Sequence, residues 1–215
     1  MNVPKSKRDS IDLAISPQSP SGKGNLSTSP FSDIVKSPFV GTFQESLLSG
    51  HMSTTKSSVF SGFSASISVS SSKGVSKHLK IPFDALYYHL EDSNHTPYVG
   101  AVVLPAERFK IPKIGTLQVT IFNPSKTPVK TFLVKYDLDH MPPNSKTFLR
   151  QITRTVAVPP ILQYAIHFNV VCSKSSRTYL YKNLRVVFPH RKPDELDTLE
   201  VFNQLPNNPQ FYPFP

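Results

Sequence analysis

From Phe39 onward the apolar positions of the chain have a period of two. Phe63, Ala65, Ile67 and Val69 alternate with Ser64, Ser66 and Ser68. Successive side chains of an extended strand point to opposite faces, so this segment reads as a half-buried β-strand. Leu117, Val119 and Ile121 alternate with Gln118 and Thr120 in the same way. Phe132, Val134 and Tyr136 share one face of the next segment. Tyr164, Ile166, Phe168 and Val170 alternate with Gln163, Ala165, His167 and Asn169. Leu180, Leu184, Val186 and Phe188 mark a further strand, and shorter candidates lie at 43–48, 79–90, 98–104 and 148–158. About nine strands result, at intervals suited to a sandwich or barrel. The expectation is an all-β chain: a single antiparallel β-sandwich behind a disordered N-terminal tail.

Turn chemistry separates these segments. Asn123-Pro-Ser-Lys-Thr-Pro128 divides two strong strands, Met141-Pro-Pro-Asn144 ends the next, and Ser173-Lys-Ser-Ser176 is a tight polar turn. No helix longer than two turns is expected. Val201–Leu205 reads as a short turn of helix before the proline-rich end.

Residues 1–38 lack this pattern. They are rich in Ser, Pro, Lys and Gly and bury too little apolar surface to offset the entropy of ordering. Four Ser-Pro pairs begin at Ser16, Ser19, Ser29 and Ser37. Each is a candidate phosphorylation site that would add about −1.5 to −2 charges. The cluster Lys5-Ser-Lys-Arg8 resembles a weak import signal.

Composition narrows the function. The chain has 215 residues, 21 prolines and a single cysteine, Cys172. An intramolecular disulfide is excluded, and a reducing compartment fits. No apolar run reaches the length of a membrane span, and no secretory signal follows the basic cluster at the start. The formal net charge is +10, which favours polyanions such as nucleic acid or acidic protein segments. Between Asp139 and Asp194 there is no acidic residue. Arg150, Arg154, Lys174, Arg177, Lys182 and Arg185 are therefore the candidates for contacting phosphates or an acidic partner. Arg150 and Arg154 share strand parity with Phe148 and Ile152, so they do not make a clean outer stripe.

Catalytic chemistry is not apparent. The seven histidines show no metal-ligand spacing, there is no phosphate-binding loop or nucleophile elbow, and Asp137 and Asp139 close a strand where turn-forming carboxylates are usual. Cys172 reads as a small buried hydrophobe and His167 as a solvated or hydrogen-bonded residue. No cofactor, metal, small-molecule substrate or membrane is expected.

The motifs between the strands resemble the Atos family. Gly41-Thr-Phe-Gln-Glu-Ser-Leu-Leu-Ser-Gly50 is similar to its opening motif. Gly115, Gln118, Thr120, Phe122 to Thr127, Val129-Lys130, Phe132, Tyr136-Asp137, Asp139 to Pro142 and Thr147 to Gln151 follow in the family's order. A second block resembles the domain named for chromosome segregation during meiosis. It comprises Leu162, Tyr164, Ile166-His167, Ser173 to Ser175, Tyr179-Leu180, Arg185 and Phe188, with Asn208 to Phe211 at the end. The resemblance spans residues 39–215. It implies a non-enzymatic nuclear protein, with the cytoplasm as a second compartment, that works through nuclear or chromosomal proteins or DNA. One branch of the family implies meiotic chromosome segregation and another transcription regulation. Long members carry an extended N-terminal half with activation segments and a long spacer between the blocks, both lacking here.

The blocks fall at 39–157 and 160–215. Because little more than Val156-Ala-Val-Pro-Pro-Ile161 joins them, they are expected to form one sandwich. Phe122, Asn123, Lys126 and Phe148 are candidate protein-contact positions, since loops at a sandwich rim commonly carry recognition. Turn geometry and core packing are the alternative uses of the same residues.

Overall fold

The computed structural model describes residues 57–215, apart from 73, 89–96, 106–108, 159 and 194–195. The predicted tail at 1–38, its four Ser-Pro sites, the strand expected at 43–48 and the motif at 41–50 lie outside the described residues.

Twelve strands form one antiparallel sheet, and there is no helix among the described residues. They are β1 (Ser57–Ser71), β2 (Gly74–Tyr88), β3 (Tyr98–Val103), β4 (Phe109–Ile111), β5 (Ile114–Phe122) and β6 (Pro128–Asp137). The remainder are β7 (Ser145–Thr155), β8 (Leu162–Cys172), β9 (Thr178–Leu180), β10 (Asn183–Phe188), β11 (Leu199–Gln204) and β12 (Tyr212–Pro213). The sheet runs in the order β11, β7, β8, β10, β3, β2, β1, β5, β6. The short β9 extends the pairing along β8, β4 pairs with β9, and β12 pairs with β7.

The alternating residues explain how this sheet becomes two layers. Phe63, Ala65, Ile67 and Val69 of β1 are buried, as are Leu117, Val119 and Ile121 of β5 and Phe132, Val134 and Tyr136 of β6. They belong to one cluster with Leu149 of β7, Ile166, Phe168 and Val170 of β8, and Leu184, Val186 and Phe188 of β10. The sheet therefore folds over on itself, and residues from both sequence blocks share a single core. Each large side chain buried there stabilises the fold by about 1.5–3 kcal/mol. The ends meet at Gln151 of β7, whose Nε2 donates to the Leu133 carbonyl of β6 at 2.8 Å and to Asn203 Oδ1 of β11 at 2.9 Å.

Two expectations are corrected in detail. Val201–Leu205 is not a turn of helix. Residues 199–204 form β11, in register with β7 from Leu199↔Thr155 to Gln204↔Arg150. The expected strand from Leu180 to Phe188 is divided into β9 and β10, because Lys182 takes a left-handed backbone (φ 59°) that interrupts the ladder. With β4, β11 and β12, this brings the number of strands above the nine expected.

Candidate functional site

The loop motifs turn out to be joints of the fold. Asn123 closes the β5–β6 hairpin: its Oδ1 accepts from the Thr127 amide at 2.8 Å, and the Lys126 amide donates to the Asn123 carbonyl at 2.9 Å. Lys126 is exposed with φ 62°. Pro124 rests on Gly62, where β1 bulges; a Cβ on Gly62 would lie 3.2 Å from the proline ring. Half-buried Phe122 lies under the Lys80 ammonium, which is 5.4 Å from its ring centroid. Asp137 caps the next turn by accepting from the Asp139 amide at 2.9 Å, and Lys113 holds the Asp139 carbonyl at 3.0 Å. Tyr136 donates to the Pro112 carbonyl at 3.1 Å. Gly115 sits so tightly here that a Cβ would lie 2.6 Å from the Ser70 carbonyl oxygen.

The six candidate cations divide by environment. Lys174, Arg177 and Lys182 are exposed on the turns flanking β9. The Ser173 turn is ordered by hydrogen bonds between Ser173 and Arg177 in both directions, at 2.9 and 3.2 Å. A shallow groove beside it is lined by Asn144, Ser173, Lys174, Ser175, Phe214 and Pro215. Arg154 is half-buried and stands in register with Glu200 of β11. Arg150 and Arg185 are each only 4% exposed. The structure therefore does not place all six on one accessible surface.

Arg150 and Arg185 instead flank a third residue. Their register partners on β8 coincide: Arg150 and Arg185 both stand opposite His167. The three side chains form a row across β7, β8 and β10 on the face turned away from the main core. Arg150 Nε donates to His167 Nδ1 at 3.3 Å. A guanidinium can only donate, so Nδ1 is the bare nitrogen and Nε2 carries the proton. The His167 ring also stacks on Phe148, with centroids 5.1 Å apart, and the Arg150 guanidinium lies 5.2 Å from the Phe148 centroid. Phe148 thus belongs to a buried outer cluster and not to an exposed contact loop.

This environment sets the charges. Burial, reinforced by the Arg150 and Arg185 charges, pushes the His167 imidazole down to about 3, so it is neutral at physiological pH. Burial lowers Arg150 and Arg185 to about 10, which still leaves both charged. Beside the row lies a small apolar cluster of Val99, Ile152, Leu162, Ala165 and Val187, with Tyr88 packed against it. Strand parity placed Arg150 with Phe148 and Ile152, and His167 with Ala165. It gave no sign that the face is covered.

Among the described residues no group of three or more His, Cys, Asp or Glu could hold a metal ion. Cys172 is buried and unpaired, its thiol pushed up by burial. No helix of the described residues is long and apolar enough to cross a membrane.

Two family models match the chain. One, described as chromosome segregation during meiosis, covers residues 161–214; the other, a domain of unknown function, covers residues 39–99. Atos homolog protein A of Mus musculus is 35% identical over 199 residues, covering 81% of this chain. Atos homolog protein A of Gallus gallus is 34% identical over 239 residues, covering 97%. Atos homolog protein B of Rattus norvegicus is 35% identical over 208 residues, covering 88%. The chain belongs to the Atos family. It spans 18%, 21% and 38% of the length of those three relatives. No solved structure matches it. In the Atos chain described here, the resembling loop motifs coincide with the hairpin, the β1 bulge and the turn after β6.

Proposed function

We propose that this Atos protein is a non-enzymatic interaction module that acts in meiotic chromosome segregation, in the nucleus. The observation that carries the reading is the match of residues 161–214 to the family model described by that process. Those residues supply β8, β9, β10, β11 and β12 and so provide much of one layer of the sandwich. The described surface offers polar turns and a shallow groove, and rim loops of a sandwich are well placed for protein contacts. The test is replacement of the gene in meiotic cells by a null allele, followed by chromosome counts in the products. A rise in missegregation restored by the full chain supports the role. Normal segregation with the protein absent removes it.

Direct DNA binding is the second reading, favoured by the +10 charge and the exposed Lys174, Arg177 and Lys182. Burial of Arg150 and Arg185 weakens it, because phosphate contacts need accessible cations. Titrating duplex DNA at two salt concentrations separates the two. Micromolar binding with a steep salt slope, lost in a Lys174→Glu/Arg177→Glu/Lys182→Glu variant, favours DNA contact.

A further inference from the structure

The sheet ends at two edge strands, β6 and β11, and only one of them is shielded. An edge strand offers N–H and C=O groups to any extended chain that reaches it, and proteins blunt such edges with Lys, Pro, bulges or covering contacts. β6 has all of these. It begins at Pro128, carries Lys130 and Lys135, and is bulged against β5 at its start. Its Leu133 carbonyl is taken by Gln151. β11 has none of them. Its six residues include no Lys, Pro or Gly, its register with β7 is unbroken, and among the described strands it pairs with β7 alone. Val201 and Phe202, on opposite faces at its centre, are 55% and 42% exposed, and Leu205 just beyond it is exposed as well.

The main chain of β11 determines which groups are open. The Val156 amide donates to the Thr198 carbonyl at 3.0 Å, continuing the register that sets Leu199 opposite Thr155. Backbone groups of an antiparallel strand alternate in direction, so those of Thr198, Glu200, Phe202 and Gln204 point toward β7. Those of Leu199, Val201 and Asn203 point to the open edge.

We propose that β11 is a dimer interface, pairing antiparallel with β11 of a second copy of this chain about a two-fold axis at Phe202. An isologous contact requires a surface that complements itself, and this strand does so. About Phe202, Val201 of each copy faces Asn203 of the other, and both have the outward-pointing groups needed to exchange hydrogen bonds. Phe202 meets its own counterpart at a position without main-chain hydrogen bonds, where side chains approach most closely and aromatic pairs are favourable. Glu200 stands against Gln204, and Leu199 against Leu205. No charge of the strand faces another. Centring the pair on Glu200 would oppose two carboxylates, and centring it on Val201 would set Glu200 against Phe202. The match of the strand to itself favours a second copy over an unrelated extended peptide. The two sheets would run on as one across the axis.

Sedimentation of the full chain, with Phe202→Lys and Phe202→Glu variants beside it, tests the proposal. The 24.0 kDa chain should sediment at twice its monomer mass at high concentration, with a Kd on the order of 10–100 µM, as suits a small interface. A chain that stays monomeric up to about 500 µM overturns the proposal. Each variant alone should weaken association at least about tenfold, because like charges would meet at the axis. Mixing the two variants should restore it, since Lys then faces Glu. Val201→Pro, which removes an N–H pointing to the open edge and none from the β7 ladder, should also yield a monomer with the wild-type circular dichroism spectrum. Association that survives all three substitutions overturns the proposal by placing the contact elsewhere. Failure of the mixture to recover where the wild type dimerises overturns the axis at Phe202.

Discussion

Gln151 on β7 donates to the main-chain carbonyl of Leu133 on β6 at 2.8 Å, joining a strand from one end of the sheet to the strand at its other edge. The same amide also donates to Asn203, so both hydrogens of the side chain are used at the seam. Truncation would leave a carbonyl and an amide oxygen without their donor. Gln151→Ala is expected to destabilise the protein by about 1–3 kcal/mol, read as a lower denaturant midpoint.

The shared core makes a second prediction. Leu149, Ile166, Phe168 and Val186 pack in the same cluster as Phe63, Ile67, Val119 and Phe132. Residues 39–157 and 160–215, expressed separately, should each be unfolded or aggregated by circular dichroism and gel filtration, because each exposes half of a common interior. Two soluble, cooperatively melting pieces would refute the single-core reading.

His167 predicts a pH dependence. The folded imidazole titrates near 3, whereas an unfolded histidine titrates near 6.5. Between those values the unfolded chain binds the extra proton, so stability is present above pH 6.5 and is lost as pH falls. The loss approaches about 1.4 kcal/mol per pH unit. Carboxylates elsewhere add their own slope, so the decisive quantity is the difference between wild type and His167→Gln. Urea titrations should show the wild-type advantage shrinking between about pH 7 and pH 5. A constant difference would mean that the imidazole is not held neutral.

Gly115 offers a steric test. A Cβ there would stand 2.6 Å from the Ser70 carbonyl and 3.1 Å from the Tyr136 hydroxyl. Gly115→Ala should therefore part β5 from β1 or break the Tyr136–Pro112 hydrogen bond. The expected cost is about 1–3 kcal/mol by thermal or chemical unfolding. Gly74→Ala separates the two causes: nothing lies within 4 Å of its added Cβ, so its cost would come from the backbone φ of +104° and not from a clash.

The strands that were readable from the chain are those with one wet face. Ile67, Val119 and Val134 alternate with polar neighbours because one side of β1, β5 and β6 meets solvent, and all three are buried as expected. β7 and β8 are buried on both faces, so their parity identified sides but not which side was covered. For that reason Arg150 and Arg185 read as candidates for contacting a partner and His167 as solvated or hydrogen-bonded, with no sign that all three are buried. β11 escaped notice for the opposite reason: Glu200, Val201, Phe202 and Asn203 are all exposed, and pairing with β7 holds the strand rather than an apolar face. β4, β9 and β12 have two or three residues each, too few to display a period. Asn123 was open to two uses, contact loop or turn geometry, and its Oδ1 is engaged in the turn, as is the turn-forming carboxylate of Asp137.

The link between the two sequence blocks is the mouth of the β7–β8 hairpin, fastened where the Thr155 amide donates to the Ile161 carbonyl and the Ile161 amide to Thr155 Oγ1, each at 2.9 Å. Chain inserted between these two residues would leave from a clasped, outward-facing end without disturbing any ladder below it. The position is a natural socket: a spacer of any length could be plugged in there at small entropic cost, while the strands on either side kept their partners.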